Sequence, residues 1–228
     1  MVRKVLLVCG ILASLLYVGT DVLAAVRWKG YSYTGQTVSE TFAIGAPTRP
    51  LIIVRGLVYG VLVIACGLGI SRSANGKRAL RVAGALLAGL GVVDLAGPFT
   101  PMHLRGAERT LTDTMHIVLA SADVLLIVLI MGFAANAFGK WFRLYSIMTI
   151  LVVVVFGTLA GLDGPRIEAN LPTPWVGVTE RISIFGFMLW VVVLAVCLLG
   201  SKSRMALEAL RMNYSLEGKG RIPPKPGS

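Results

Sequence analysis

The chain has 228 residues, of which 56% are hydrophobic and 14% charged, with a mean hydropathy of +0.79 and a formal charge of +11. That composition excludes an ordinary soluble domain and identifies an integral membrane protein. It also excludes nucleic acid as the reason for the positive charge, which collects on short connections and the C-terminal segment, where orientation signals lie.

Six apolar stretches of about 18 to 22 residues are each long enough to cross a hydrocarbon core of about 30 Å as a helix. The predicted fold is therefore all-α, an integral membrane bundle of six transmembrane helices. It forms one domain over residues 1–213, followed by a basic, Pro- and Gly-rich disordered tail over 214–228. The first span, 5–26, follows a short basic start and is interrupted by Thr20 and Asp21. Its apolar run exceeds a signal-peptide core and contains an acid, so a retained helix is expected in preference to cleavage near Ala24 and Ala25. The loop 27–50 is rich in Gly, Pro and Ser and is read as largely irregular. Ser39, Glu40 and Arg49 are its functional candidates, while Tyr31, Tyr33 and Phe42 equally suit an interfacial aromatic belt.

The second span, 51–70, carries Arg55 one turn inside its start, and Gly56 with Gly60 at a spacing that suits close helix contact. Arg55 either snorkels outward or faces the bundle. The link SRSANGKRALR is basic, with Asn75 and Gly76 as its turn. In the third span, 80–97, Gly84, Ala88 and Gly91 form a small-residue face and Asp94 sits one turn from the end, which Pro98 and Pro101 close. The fourth span, 114–138, places Asp123 about 15 Å along the axis from Asp113 at 1.5 Å per residue. The fifth, 144–162, is nearly all apolar and reads as lipid-facing wall, and the sixth, 180–200, opens on Glu180 and Arg181. Cys9, Cys66 and Cys197 all lie in apolar segments and imply no disulfide framework.

Fourteen of the 22 Lys and Arg residues fall on the termini and the second and fourth connections, which predicts cytoplasmic termini; nine of the 11 acids lie towards the other face. A bundle would gather the polar groups of that face around an outward-opening pocket. On a helix beginning near Thr112, the positions Asp113, His116, Ala120 and Asp123 share an arc of roughly 80°. Ionisable groups on an otherwise apolar helix face mark a functional site by default. The candidate catalytic set is His116 as general base with Asp113 and Asp94 orienting it or holding a metal. Ser39, Glu40, Arg55, Arg181 and Asp123 are the candidate substrate-binding set. His103 and His116 with two carboxylates have ligand types that suit zinc or a harder divalent ion, although the sequence holds no HExxH and no third histidine, so the cofactor stays unknown. In the alternative, Asp113 caps the fourth helix, His116 bonds a backbone group, and Asp94 and Asp123 pair with Arg55 and Arg181.

The segments VSETFAIGAPTRP, FTPMHLRG with DTMHIVLA, and ERISIFGFMLW together resemble a bacterial membrane family catalogued as domain of unknown function 998. The resemblance covers most of the chain and rests on Ser39 with Glu40, Phe99 to Pro101, His116 and Arg181. It implies a six-helix multi-pass protein of the bacterial inner or plasma membrane, and it supplies no activity. The turn reads Phe-Thr-Pro without the acid of the family pattern. Two function classes fit these residues: a membrane-embedded lipid-processing hydrolase, or a non-catalytic lipid or small-ion binder or transporter. A structural membrane subunit is the third. Membrane lipid is the one expected partner; protein partners are unknown.

Overall fold

The structure, a computed structural model, describes the backbone of residues 1–219 and the side chains of residues 1–200. Among the described residues there are seven α-helices: α1 (Val2–Arg27), α2 (Arg49–Arg72), α3 (Arg78–Ala96), α4 (Leu111–Ala134), α5 (Lys140–Leu162), the single-turn α6 (Gly164–Glu168) and α7 (Val176–Lys219). Six segments, counting α5 with α6 as one and the first part of α7 as the last, are long and apolar enough to cross a membrane. Of the tail expected at 214–228, residues 220–228 lie outside the described residues.

Local chemistry sets the helix ends. Pro50 occupies the first turn of α2, where its missing N–H costs nothing. Asn75 and Gly76, both with positive φ, turn the chain between α2 and α3. Thr110 and Asp113 form a reciprocal capping box that starts α4 at Leu111, a few residues earlier than the hydropathy pattern predicts. Likewise α7 begins at Val176, directly after Pro174 and Trp175, so Glu180 and Arg181 lie one turn inside the helix and not at its opening.

Packing is uneven around the bundle. The α2–α3 contact is the closest, because a Cβ added to Gly67 would lie 2.5 Å from both the Ala88 nitrogen and the Gly84 oxygen. Gly60 meets the Gly91 backbone in the same way, as its spacing suggests. Gly56 does not: nothing lies within 4 Å of its Cβ position, and the residue lines a cavity. On the opposite side Trp190 of α7 is fully buried, with its indole N–H donating to Ser146 Oγ of α5 at 2.9 Å and Phe142 and Phe187 beside its ring. α5 thus carries a packed face, Phe142, Ser146, Thr149 and Val153, on a helix otherwise open to its surroundings. By contrast α4 buries only Ile130, Met131 and Ala134, all in its last two turns. Its first half stands away from the bundle, and the cavity occupies the space that leaves.

Candidate functional site

Three connections, 28–48, 97–110 and 163–175, meet at one end of the bundle and form a lid. The lid is held by buried ion pairs. The Arg181 guanidinium donates to both Asp21 oxygens at 2.9 and 3.0 Å, to the carbonyls of Tyr33, Gln36 and Gly177, and to the Tyr31 hydroxyl. It also stacks on the Tyr33 ring at 3.7 Å. Burial pushes the phenols of Tyr31 and Tyr33 up, so both remain hydroxyl donors, Tyr31 to the Thr37 carbonyl and Tyr33 to Asp21. The backbone can approach α7 this closely because position 177 is glycine: a Cβ there would lie 2.3 Å from the Gln36 carbonyl oxygen.

A second pair ties all three connections together. Arg105 donates from Nε and Nη2 to the two oxygens of the fully buried Glu40 at 2.7 and 2.8 Å, and further to the Gly35 carbonyl and to Thr173 Oγ1. The hydrogen bond to Glu40 holds the Arg105 guanidinium above its ordinary pKa, keeping the fork charged. Glu40 also accepts from the backbone N–H of Thr37, and the Ile44 N–H donates to the Met102 carbonyl at the isolated bridge that joins Ile44 to His103.

Beneath the lid lies a cavity of about 570 Å³, reached by every spanning helix. Asp113, His116, Ala120 and Asp123 all line it, as the helical arc predicts. The partnerships differ from those expected. Asp113 does not orient His116: its oxygens accept from the Thr110 N–H and hydroxyl and from the backbone N–H of His103, and one lies 2.9 Å from His103 Nδ1. The loop 97–110 folds back over the start of α4, so sequence neighbours on the helix lose to a loop residue ten positions away. His116 Nδ1 instead lies 3.1 Å from the Thr100 carbonyl oxygen. A carbonyl and a carboxylate only accept, so each bond assigns a proton to Nδ1, and in the neutral ring Nε2 is then the acceptor. Both histidines line the cavity.

Arg181 pairs with Asp21 and not with Asp94 or Asp123, and the hydrogen bonds of Glu40 are likewise consumed by the lid. Ser39 reaches the cavity wall and donates to Glu180 at 3.3 Å, while Glu180 also accepts from the Val38 N–H. Arg55 does not snorkel. Its guanidinium lies 4.0 Å over the Tyr17 ring, and its Nε and Nη1 are buried without a hydrogen-bond partner. Asp94 Oδ2 and Asp123 Oδ1 are buried and partnerless in the same way, and among the described residues no ion pair joins any of the three. Asp94 nonetheless lies near enough to feel both Asp123 and Arg55 electrostatically.

No group of three or more ligating side chains that could hold a metal ion occurs among the described residues, so the geometry does not assemble the His103, His116 and carboxylate set. Sequence reasoning passed over Tyr17, gave Arg105 and Glu180 no partner, and considered His103 only as a ligand. Tyr17 carried a signal, since it shares a helix face with Asp21 four residues on. Nothing local pointed Arg105 to Glu40, which stands 65 residues away. The family described as "Protein of unknown function (DUF998)" matches residues 11–197. No curated protein and no solved structure matches the chain.

Proposed function

Because the chain belongs to the family described as "Protein of unknown function (DUF998)", whose description assigns no chemistry, we propose from the cavity alone that the protein binds a membrane amphiphile. One observation carries this reading: Arg55, Asp94 and Asp123 line a single cavity without an ion pair, each keeping a buried polar atom without a hydrogen-bond partner, and the other walls include Leu90, Val93, Ile127, Ile184, Phe187 and Met188. Charges buried without partners are costly, and a ligand with a polar head and an apolar body satisfies both parts of such a site. The volume suits a ligand of that kind. Access fits a lipid as well, since the cavity wall includes Ile117 and Val124 of α4 and Gly161 of α5, which are exposed residues of membrane-spanning segments. We place the lid end outside the cell membrane, by the Lys and Arg asymmetry.

Organic extraction and mass spectrometry of the protein purified in a short-chain detergent test the reading. A stoichiometric lipid that disappears in Arg55→Gln supports it, and a wild type that retains none overturns it. For orientation, a cysteine at position 106 is expected to label from outside intact cells and one at position 76 is not; the reverse pattern inverts the topology.

A hydrolytic reading is favoured by one further observation, the His103–Asp113 pair on the cavity wall. His103 replaces His116 as the base. Its Nε2 takes a proton from water while the water oxygen bonds to an ester or amide carbonyl carbon. The imidazolium then returns that proton to the leaving oxygen or nitrogen as the C–O or C–N bond breaks. Turnover of a fluorogenic ester lost in His103→Gln but kept in His116→Gln supports this step; a wild type that turns over no ester or amide removes it and leaves binding.

A further inference from the structure

We infer that the polar head of the bound amphiphile is a zwitterion, with an anionic group held by Arg55 and a primary ammonium held by Asp94 and Asp123. The inference rests on the amphiphile reading and goes on to the chemistry of the head. Three partnerless groups of opposite sign face one cavity. A head carrying only negative charge would satisfy Arg55 and meet two carboxylates. A head carrying only positive charge would satisfy the acids and meet the guanidinium. A neutral head brings no charge to either set. A head with both signs is the one class that completes every group.

The donor and acceptor inventory narrows the cation. The side chains of Asp94, Asp123 and His116 line this cavity and offer acceptors, and a primary ammonium brings three N–H donors. A quaternary ammonium brings none and relies on free aromatic faces. Of the rings that line the cavity, Phe42 has Arg49 over it, Tyr59 packs edge-to-face with Tyr17, Phe187 stacks on Trp190, and Tyr17 already carries Arg55 at 4.0 Å. That stacking also aims the guanidinium inward, where its fork matches a phosphate or carboxylate. Glu180, Asp113 and His103 line the cavity too, but each is already committed to a partner from the lid or the start of α4.

The experiment measures binding of four lipids with identical acyl chains to the full-length protein in detergent, by native mass spectrometry. They are phosphatidylethanolamine, phosphatidylcholine, phosphatidylglycerol and diacylglycerol. Phosphatidylethanolamine is expected to bind about tenfold or more tighter than each of the others, the factor that one charged hydrogen bond carries. Asp94→Asn with Asp123→Asn should erase its advantage over phosphatidylglycerol, and Arg55→Gln should bring both phospholipids down to diacylglycerol. The wild-type ranking decides the matter even where a variant fails to fold. Equal binding of phosphatidylglycerol and phosphatidylethanolamine, or an unchanged ranking in the folded double variant, overturns the zwitterionic head while leaving amphiphile binding intact. Glycerophosphoethanolamine binding as tightly as the full lipid would overturn the amphiphile reading and keep the head assignment. Failure of every lipid and of the soluble head overturns both.

Discussion

The lid and the cavity beneath it contain the same residue types in opposite states. In the lid, Arg181 and Arg105 lie against Asp21 and Glu40 with bidentate geometry, and the remaining donors reach carbonyls and hydroxyls of the connections. On the walls of the cavity, Arg55, Asp94 and Asp123 keep buried atoms with no hydrogen-bond partner. A buried ion pair whose lone pairs are all used specifies one arrangement of the chain, whereas unpaired charges contribute nothing to folding and cost desolvation. The first set therefore holds the fold, and the second is where we propose that the ligand's head binds.

The strongest way to break that comparison is to remove one partner from the lid. Asp21→Asn or Arg181→Met leaves the other charge buried, which costs roughly 3 to 5 kcal/mol. Thermal unfolding in detergent is expected to show a large loss for either, and a wild-type melting temperature would mean that the lid pair does not hold the fold. Next in size is a steric contrast inside α2. Gly67→Leu drives a side chain into the α3 backbone and is expected to cost at least about 1 to 3 kcal/mol. Gly56→Leu has open space before it, so it should retain stability and reduce ligand binding by filling the cavity. Equal losses in the two variants would contradict the packing described.

Smaller still is the cap. Thr110→Ala removes one half of the capping box and should lower stability by about 1 kcal/mol. The comparison sharpens further if ligand binding also falls, because Asp113 then loses a hydrogen-bond partner while it positions His103. The smallest expected change is in Asp94→Asn, which alters a buried carboxyl whose Oδ2 no protein group hydrogen-bonds. Its melting temperature should be unchanged or raised by the equivalent of up to about 1 kcal/mol in the absence of ligand. A large destabilisation would show that Asp94 belongs with the lid as scaffold.

The sequence by itself determined the bundle, because a helix long enough to span a hydrocarbon core is written locally, in runs of apolar residues, and needs no knowledge of its neighbours. It also determined that Asp113, His116, Ala120 and Asp123 share one face, since helical periodicity is local too. That Gly60 would meet another helix was legible and that Gly56 would not was not, because close approach depends on where the partner helix diverges. Ion-pair choice was hidden for the same reason. Arg181 and Asp21 stand 160 residues apart and Arg105 and Glu40 stand 65 apart, so only the folding of the connections over the helix ends brings them together. The pairing of Asp113 with His103 in place of His116 shows the limit most directly. Three residues along a helix fix a shared face, but a loop that folds back can place a better-aligned donor on the carboxylate, and only the tertiary structure decides which donor arrives.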